Sequence, residues 1–364
     1  MVVGVLGGGQ LGRMLALAGY PLGLKFRFLE SVADAPVDDL ADRVVGRYDD
    51  TETVTRFGAG LDVITYEFEN VPADSAKVLA RSHRFFPPVE VLDIAQDRLT
   101  QKEFFKKLGI PTAPFAPVDS LADLTAALKS IGLPGIVKTR RSGYDGKGQM
   151  VLRAEADAAE AFQKLGATPL IYEGFVPFER EVSIIGARRP SGPATFYPLV
   201  ENHHREGILR LTLAPAPNLA PGLQQMAEDY ARAIFEAFKY AGVLTIELFE
   251  HQGRLLVNEM ATRVHNSGHW TIEGSETSQF ENHLRAGLDL PLGESHALKP
   301  TAMLNLIGSI PKIEEILAVP GAHLHLYSKS PAPGRKLGHI TLVEDDRDSL
   351  MKKVAHLKKL MGEP

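Results

Sequence analysis

Hydrophobic and polar positions along this chain change rhythm three times. Residues 2–6 are a continuous apolar run that reads as a buried strand, and residues 10–18 then carry apolar side chains at helical spacing. Further buried strands are expected at residues 25–29, ending at Glu30, and at 63–66. Alternation of strand, helix and strand predicts a parallel α/β sheet, closing near Phe86-Pro87-Pro88. Helices follow over residues 97–108, stopped by Gly109 and Pro111, and over 121–131. Together with strands at 135–138, 149–152 and 170–172, the second helix suggests a small α+β unit over about residues 112–175. From Glu181 a strand-rich pattern takes over, at 182–185, 195–200 and 209–213, interrupted by a long helix at 222–240. Residues 242–250 and 254–260 pair as a hairpin across His251-Gln252-Gly253. Short strands beyond Pro300 lead into a basic helix at 347–361.

A chain of 364 residues exceeds one ordinary domain. Its 44% hydrophobic and 23% charged residues are those of a soluble globular protein. A net charge of −5 argues against a nucleic-acid partner held by charge. With no cysteine, disulfides, thiolate catalysis and thiolate zinc sites are excluded. The first nine residues lack the basic region of a secretory signal, and no apolar run approaches the ~20 residues of a membrane span. A cytoplasmic protein with no membrane partner is expected.

Four segments carry candidate chemistry. Gly7-x-Gly9-x-x-Gly12 follows a strand and opens a helix, and Glu30 ends the next strand, the arrangement of a dinucleotide fold. Many α/β domains use such a turn for packing or for another phosphate, so this alone is a weak signal. The loop from Lys138 to Gln149 combines three glycines (Gly143, Gly146, Gly148) with four cations (Lys138, Arg140, Arg141, Lys147), which suits a flap closing over a polyphosphate. An exposed hairpin would need neither. Glu247 lies on an otherwise nearly apolar strand face, and Glu259 lies on the partner strand. Buried unpaired, Glu247 would cost several kcal/mol. Either a divalent cation or an arginine such as Arg263 would offset that, and magnesium suits two carboxylates that leave room for substrate phosphates. Residues 258–270 then crowd an amide, a carboxylate, a guanidinium and two imidazoles together. His265 and His269 have zinc-like spacing, but Ser267 and Gly268 disfavour the helix it requires. Donors around an oxyanion, from Arg263, His265 and Asn266, fit better.

Taken together these segments resemble one family, the ATP-grasp enzyme N5-carboxyaminoimidazole ribonucleotide synthetase. The resemblance is carried by residues 7–14, Thr65 to Val71, the 144–149 flap, Tyr197-Pro198 with Glu201-Asn202-x-His204, residues 263–272 and residues 334–339. It departs from the family at Ser142, where glycine is usual, at Thr262, where proline is usual, and at Ser328, where Tyr-Gly-Lys is usual. The fold implied is an α/β and α+β ATP-grasp architecture. It comprises an N-terminal Rossmann-like domain (1–93), an ATP-grasp domain (94–299) with a mobile lid at about 112–175, and a small C-terminal domain (300–364).

The resemblance also implies roles. Arg98 and Lys138 would contact ATP phosphates under the flap formed by Gly143, Tyr144, Asp145, Gly146, Lys147, Gly148 and Gln149. Glu173, Gly174, Phe175 and Val176 would hold adenine, largely through backbone, and Glu181 the ribose. His204 and Asn258 would line the nucleotide site. Glu247 and Glu259 would hold Mg2+, with Mn2+ able to substitute. Arg263, His265 and Asn266 would hold bicarbonate, and Tyr144, Asp145, Lys329, Arg335 and Lys336 the ribonucleotide. The expected reaction is ATP-dependent carboxylation of 5-aminoimidazole ribonucleotide with bicarbonate through carboxyphosphate, in purine biosynthesis, by a homodimer. Rival readings are a formate-using ATP-grasp ligase such as glycinamide ribonucleotide transformylase, a nicotinamide-dependent oxidoreductase resting on the glycine turn, and a non-catalytic nucleotide-binding regulator.

Overall fold

The computed structural model describes residues 1–363 other than 33, 144, 145 and 167. These residues build three sheets, of five, four and nine strands.

The first sheet is parallel, in the spatial order Asp42–Val45, Lys25–Glu30, Val2–Leu6, Val63–Tyr66, Arg84–Phe85. Its central strand is apolar on both faces because both are covered. Val3 and Val5 join the core containing Leu11, Met14 and Leu15 of the helix Gln10–Gly19. Leu6 and Ile64 join the core of the helices Thr51–Gly58 and Ala73–Ala80. The chain order reverses beside Val2–Leu6, so the crevice beyond Leu6 and Tyr66 is the natural ligand position of such a sheet.

The second sheet, Phe115–Val118, Leu170–Gly174, Gly135–Thr139 and Gln149–Leu152, is antiparallel. The helices Leu121–Ile131 and Asp157–Leu165 share its core, with Leu124, Leu128 and Ala161 against Val137 and Tyr172.

The third sheet is antiparallel and long. Its order runs Arg254–Ala261, Gly242–His251, Arg180–Arg188, Val200–Arg205, Ile208–Ala214, Thr301–Ile307, Lys336–Val343, Ala322–Leu326, with Ala194–Phe196 paired beside Arg180–Arg188. The helix Leu223–Phe238 presents Leu223, Ala227, Ala231 and Ile234 to one of its cores. The C-terminal strands therefore extend this sheet, because Thr301–Ile307 pairs with the edge of Ile208–Ala214. The helix Arg347–Leu360 covers them with Leu350, Val354 and Leu357.

One expected strand, at 195–200, divides in two. Pro198 has no N–H to give a ladder, and Tyr197 turns inward, where its buried hydroxyl donates to the Thr277 carbonyl at 2.9 Å. The strand Val200–Arg205 starts anew after this break.

Candidate active site

A cleft of about 700 Å³ lies between the parallel sheet, the four-stranded unit and the long sheet. The hairpin Gly242–His251 and Arg254–Ala261 brings Glu247 and Glu259 into direct register, with a bulge beside Glu247. Both line the cleft, together with Asn258 of the same hairpin. Glu259 is ion-paired to Arg98. Glu247 Oε1 lies 3.0 Å from His265 Nε2. Burial alone would raise the Glu247 pKa, but the His265 hydrogen bond and the nearby charges of His204 and Arg98 outweigh it and bring it down to about 2. Arg263, which could have paired with Glu247, is engaged elsewhere.

The two carboxylates fit a hard cation. Asn258 Oδ1 and both polar atoms of the Asn266 amide, all buried, have no hydrogen-bond partner among the described residues. Oxygen donors of this kind suit Mg2+, which keeps water and substrate phosphates among its ligands. Among the described residues no cluster of three or more His, Asp or Glu side chains is arranged to hold a metal. A cation here would therefore rest on two carboxylates.

Arg98 is the first residue of the helix Arg98–Lys107, capped by Asp97, whose side chain accepts from Leu99 N and Thr100 N. The Asp97 carboxylate also takes Arg140 Nε at 3.0 Å and Nη2 at 2.9 Å, tying the flap's root to the helix. Arg98 Nη2 donates to the Gly143 carbonyl at 3.3 Å. Gly143, Gly146 and Gln149 of the flap line the cleft; Lys147 and Gly148 are not among its lining residues, and Tyr144 and Asp145 fall outside the described residues.

Lys138 faces the cleft from its buried strand, but its counter-ion was not anticipated. Glu173 Oε2 lies 3.2 Å from Lys138 Nζ and 3.0 Å from Lys102 Nζ, all three side chains being buried. Burial opposes ionisation of Glu173, yet the two lysines bring its pKa down to about 2. Burial pulls the Lys102 pKa below its ordinary value. Glu173 thus has a side-chain role in addition to the backbone contact to adenine that the resemblance implies for residues 173–176. Two backbone N–H groups of that stretch are also committed, Gly174 to the Pro114 carbonyl and Phe175 to the Pro134 carbonyl. Val176 is buried beside them. The sequence reading missed Phe178 and Phe249, whose rings stack 4.8 Å apart at 9° and line the cleft with Ile136. Such an apolar wall suits a planar base.

Glu181 and His204, from adjacent strands, meet at 3.0 Å in the cleft wall. Burial opposes charge on His204, but the adjacent Glu181 carboxylate prevails and raises its pKa. Beyond the hairpin, Arg263 Nε donates to Glu69 Oε2 at 2.6 Å, while Thr262 N donates to Glu69 Oε1 at 2.9 Å. Thr262 supplies an N–H that the proline usual in the family would lack. His265 caps a single 3-10 turn, Asn266–Gly268. His269 leaves the site altogether and packs among Phe280, His339 and Tyr327, where burial pushes its pKa well below the ordinary range. The His265/His269 pair accordingly has no common ligand.

The basic residues of the C-terminal segment lie close to one another, and only Lys336 of them is among the residues lining the cleft. Lys329 Nζ donates to Gln10 Oε1, and Arg335 Nη1 donates to the Ser330 carbonyl at 3.0 Å. Burial lowers the Lys329 pKa, and neighbouring Arg335 and Lys336 lower it further, against the pull of Glu67. Glu67 also explains the glycine turn. Its carboxylate accepts Gly9 N at 2.8 Å and Gly12 N at 3.0 Å, and Glu30 accepts Gly8 N at 3.0 Å. A Cβ on Gly9 would stand 2.5 Å from Glu67 Oε1. The N–H groups that a pyrophosphate would need are held by the chain's own acids.

Register-paired acids, a buried lysine and a glycine-rich flap closing one cleft are the marks of an ATP-grasp protein, and residues 103–280 match the ATP-grasp domain family. Residues 1–96 match the ribonucleotide synthetase preATP-grasp domain, and residues 301–353 the phosphoribosylaminoimidazole carboxylase C-terminal domain. The N5-carboxyaminoimidazole ribonucleotide synthase of Pseudomonas aeruginosa is 50% identical over 361 residues, 99% of each chain. The crystal structure of N5-carboxyaminoimidazole ribonucleotide synthetase from Thermus thermophilus is 54% identical, with a TM-score of 0.96 over 100% of this chain and 99% of that one. A structure of the Aspergillus clavatus synthase in complex with ADP and 5-aminoimidazole ribonucleotide is 32% identical, with a TM-score of 0.92 over 100% and 99%. The chain belongs to the N5-carboxyaminoimidazole ribonucleotide synthase family.

Proposed function

We propose that this chain is an ATP-dependent carbon–nitrogen ligase that carboxylates 5-aminoimidazole ribonucleotide with bicarbonate. The observation that carries this reading is the register pair Glu247 and Glu259 facing Arg98, Arg263 and His265 across one cleft. Bicarbonate is a poor electrophile, since hydroxide is a poor leaving group. Transfer of the γ-phosphoryl group from ATP to a bicarbonate oxygen yields ADP and carboxyphosphate, whose leaving group is phosphate. The amine of the ribonucleotide then forms the N–C bond, phosphate departs, and the nitrogen loses a proton.

Little covalent work falls to the chain, whose tasks are positioning and charge neutralisation. Glu247 and Glu259 would hold Mg2+, which supplies charge compensation for the phosphates. Lys138 and Arg98 neutralise the remaining phosphate charge, Phe178 and Phe249 pack the base, and Glu181 and His204 orient the ribose. Arg263, His265 and the unpartnered Asn266 amide grip the one-carbon acid. Lys329, Arg335 and Lys336 suit the ribonucleotide phosphate, and the flap at 143–149 excludes water from carboxyphosphate. Unit limits of 1–93, 94–299 and 300–364, with a lid at about 112–175, and a homodimeric state complete the proposal. The test is phosphate release with bicarbonate or the ribonucleotide omitted in turn, and with formate replacing bicarbonate. Release that needs bicarbonate supports the reading; release driven by formate instead refutes it.

A further inference from the structure

We infer that Ser267 is a positioning residue that fixes His265 in the tautomer bearing its proton on Nε2; the catalytic use of that tautomer rests on the bicarbonate reading above. His265 is held at both ring nitrogens. Nε2 faces Glu247 Oε1 at 3.0 Å, and Nδ1 faces Ser267 Oγ at 2.9 Å. Behind Ser267 a polar row crosses the long sheet, perpendicular to its strands. Ser183 Oγ lies 2.8 Å from Ser267 Oγ, Asn202 Nδ2 lies 2.9 Å from Ser183 Oγ, and Thr212 Oγ1 lies 2.9 Å from Asn202 Oδ1. All four residues are buried. Ser183 is moreover the register partner of Glu247, so the row returns to the strand that carries the acid.

With every hydroxyl proton used inside it, such a row runs in one of two directions. In one, Thr212 donates to Asn202, Asn202 to Ser183, Ser183 to Ser267 and Ser267 to Nδ1. In the other, with the Asn202 amide turned over, His265 donates from Nδ1 and every hydroxyl proton reverses. The backbone decides between them. Ser267 N–H points at His265 Nδ1 at 3.3 Å, and a backbone amide is always a donor. A proton on Nδ1 would face that N–H head-on. Nδ1 therefore accepts, and Nε2 carries the proton that reaches the cleft. The main chain that carries the imidazole is pinned as well. Gln279, fully buried, accepts from His265 N at 2.9 Å and donates to His265 O at 2.6 Å. A Cβ on Gly268 would stand 2.5 Å from that glutamine's oxygen, so the turn closes tightly upon it. With this tautomer fixed, His265 meets an anionic oxygen as a hydrogen-bond donor and does not act as a base through Nε2.

The test is 15N NMR of the ring nitrogens in the full-length chain without substrates, His265 being assigned by its loss in His265→Ala. A pyridine-type Nδ1 and a pyrrole-type Nε2 are expected in the wild type; the opposite assignment overturns the inference without any variant. Ser267→Ala removes the shorter of the two donors to Nδ1 and leaves only the backbone N–H at 3.3 Å, so it should raise the Nδ1–H tautomer from undetectable to a measurable minor share and lower kcat for bicarbonate-dependent phosphate release about 10-fold or more, the scale for losing a group that orients a ligating imidazole. KM for ATP should stay within about 3-fold, and Ser267→Thr, which keeps the hydroxyl, should recover most of kcat. Unchanged tautomer and kcat in Ser267→Ala refute the role. The NMR result stands whichever one-carbon acid is used, so failure of the bicarbonate assay alone would count against the function and not against the tautomer.

Discussion

Replacing Glu173 with glutamine removes one negative charge at nearly constant volume and leaves Lys102 and Lys138 facing each other without a counter-ion. The carboxylate oxygen lies 3.0 Å from one ammonium and 3.2 Å from the other, and the three side chains are between 3% and 9% exposed. Removing one partner from a buried ion pair costs about 3–5 kcal/mol, because the remaining charge stays desolvated. If the 364-residue chain unfolds cooperatively, that lowers the thermal midpoint by roughly 5 °C. Lys102, whose pKa burial already lowers, can shed its proton and set the lower end of that range. The assay is thermal unfolding followed by circular dichroism without nucleotide, for Glu173→Gln and for Glu173→Gln/Lys102→Met, which should recover part of the loss. The sign with pH follows from the direction of the shift. Glu173 has a folded pKa of about 2, below its ordinary 4.5. Its contribution is complete above pH 4.5 and disappears as pH falls toward 2, so the gap between wild type and Glu173→Gln should close over that window. A variant midpoint within about 1 °C of wild type at pH 7 would refute the counter-ion role.

Four other outcomes are expected. Glu259→Ala should fold yet lower ATP turnover by about 100-fold or more, the scale of removing a charge-positioning group; wild-type phosphate release would exclude it from the metal site. Arg263→Ala should keep nucleotide affinity, measured by calorimetry, while losing bicarbonate-dependent turnover; loss of both together would make the arginine a structural partner of Glu69 only. Glu67→Ala leaves Gly9 N–H and Gly12 N–H without an acceptor and should cost about 1–3 kcal/mol in chemical denaturation, with no change meaning that the cap is dispensable. Ser142 has a φ of 61°, a left-handed conformation that glycine adopts freely, so Ser142→Gly should raise the thermal midpoint by a few degrees, and a lowered midpoint would count against the strain argument.

Much of the fold could be read from periodicity. The strands Val2–Leu6 and Gln149–Leu152 and the helix Leu121–Ile131 fall where apolar spacing places them, and the hairpin turns at His251-Gln252-Gly253 as expected, but that turn alone would set Glu247 opposite Asn258, and the bulge shifts the pairing by one residue to Glu259. The site was less legible where the chemistry depends on contacts distant in sequence. Lys102 looks like any solvated lysine on a charged helix, and only the packing of Arg98–Lys107 against the four-stranded unit shows that it is buried on Glu173. Glu67 sits in an acidic motif, but its partners are N–H groups more than fifty residues earlier. No local pattern reports such a pairing. The break at Tyr197-Pro198 carried a local signal, the proline, against an otherwise strand-like run. Ser267 and Ser183 carry no signal in isolation, since a serine becomes informative only when its neighbours' donors and acceptors are known.

That the C-terminal strands extend the hairpin's own sheet has a mechanical consequence. Ladders of amide hydrogen bonds connect the strand carrying Glu247 to the strand carrying Lys336 with no intervening hinge. The span between the two anionic groups the cleft must accommodate is thus a ruler cut into the backbone. Shifting Leu211 by one residue against Leu304 would invert every side chain beyond that seam and spoil the gauge, whereas lengthening the loop at 308–312 should leave it true.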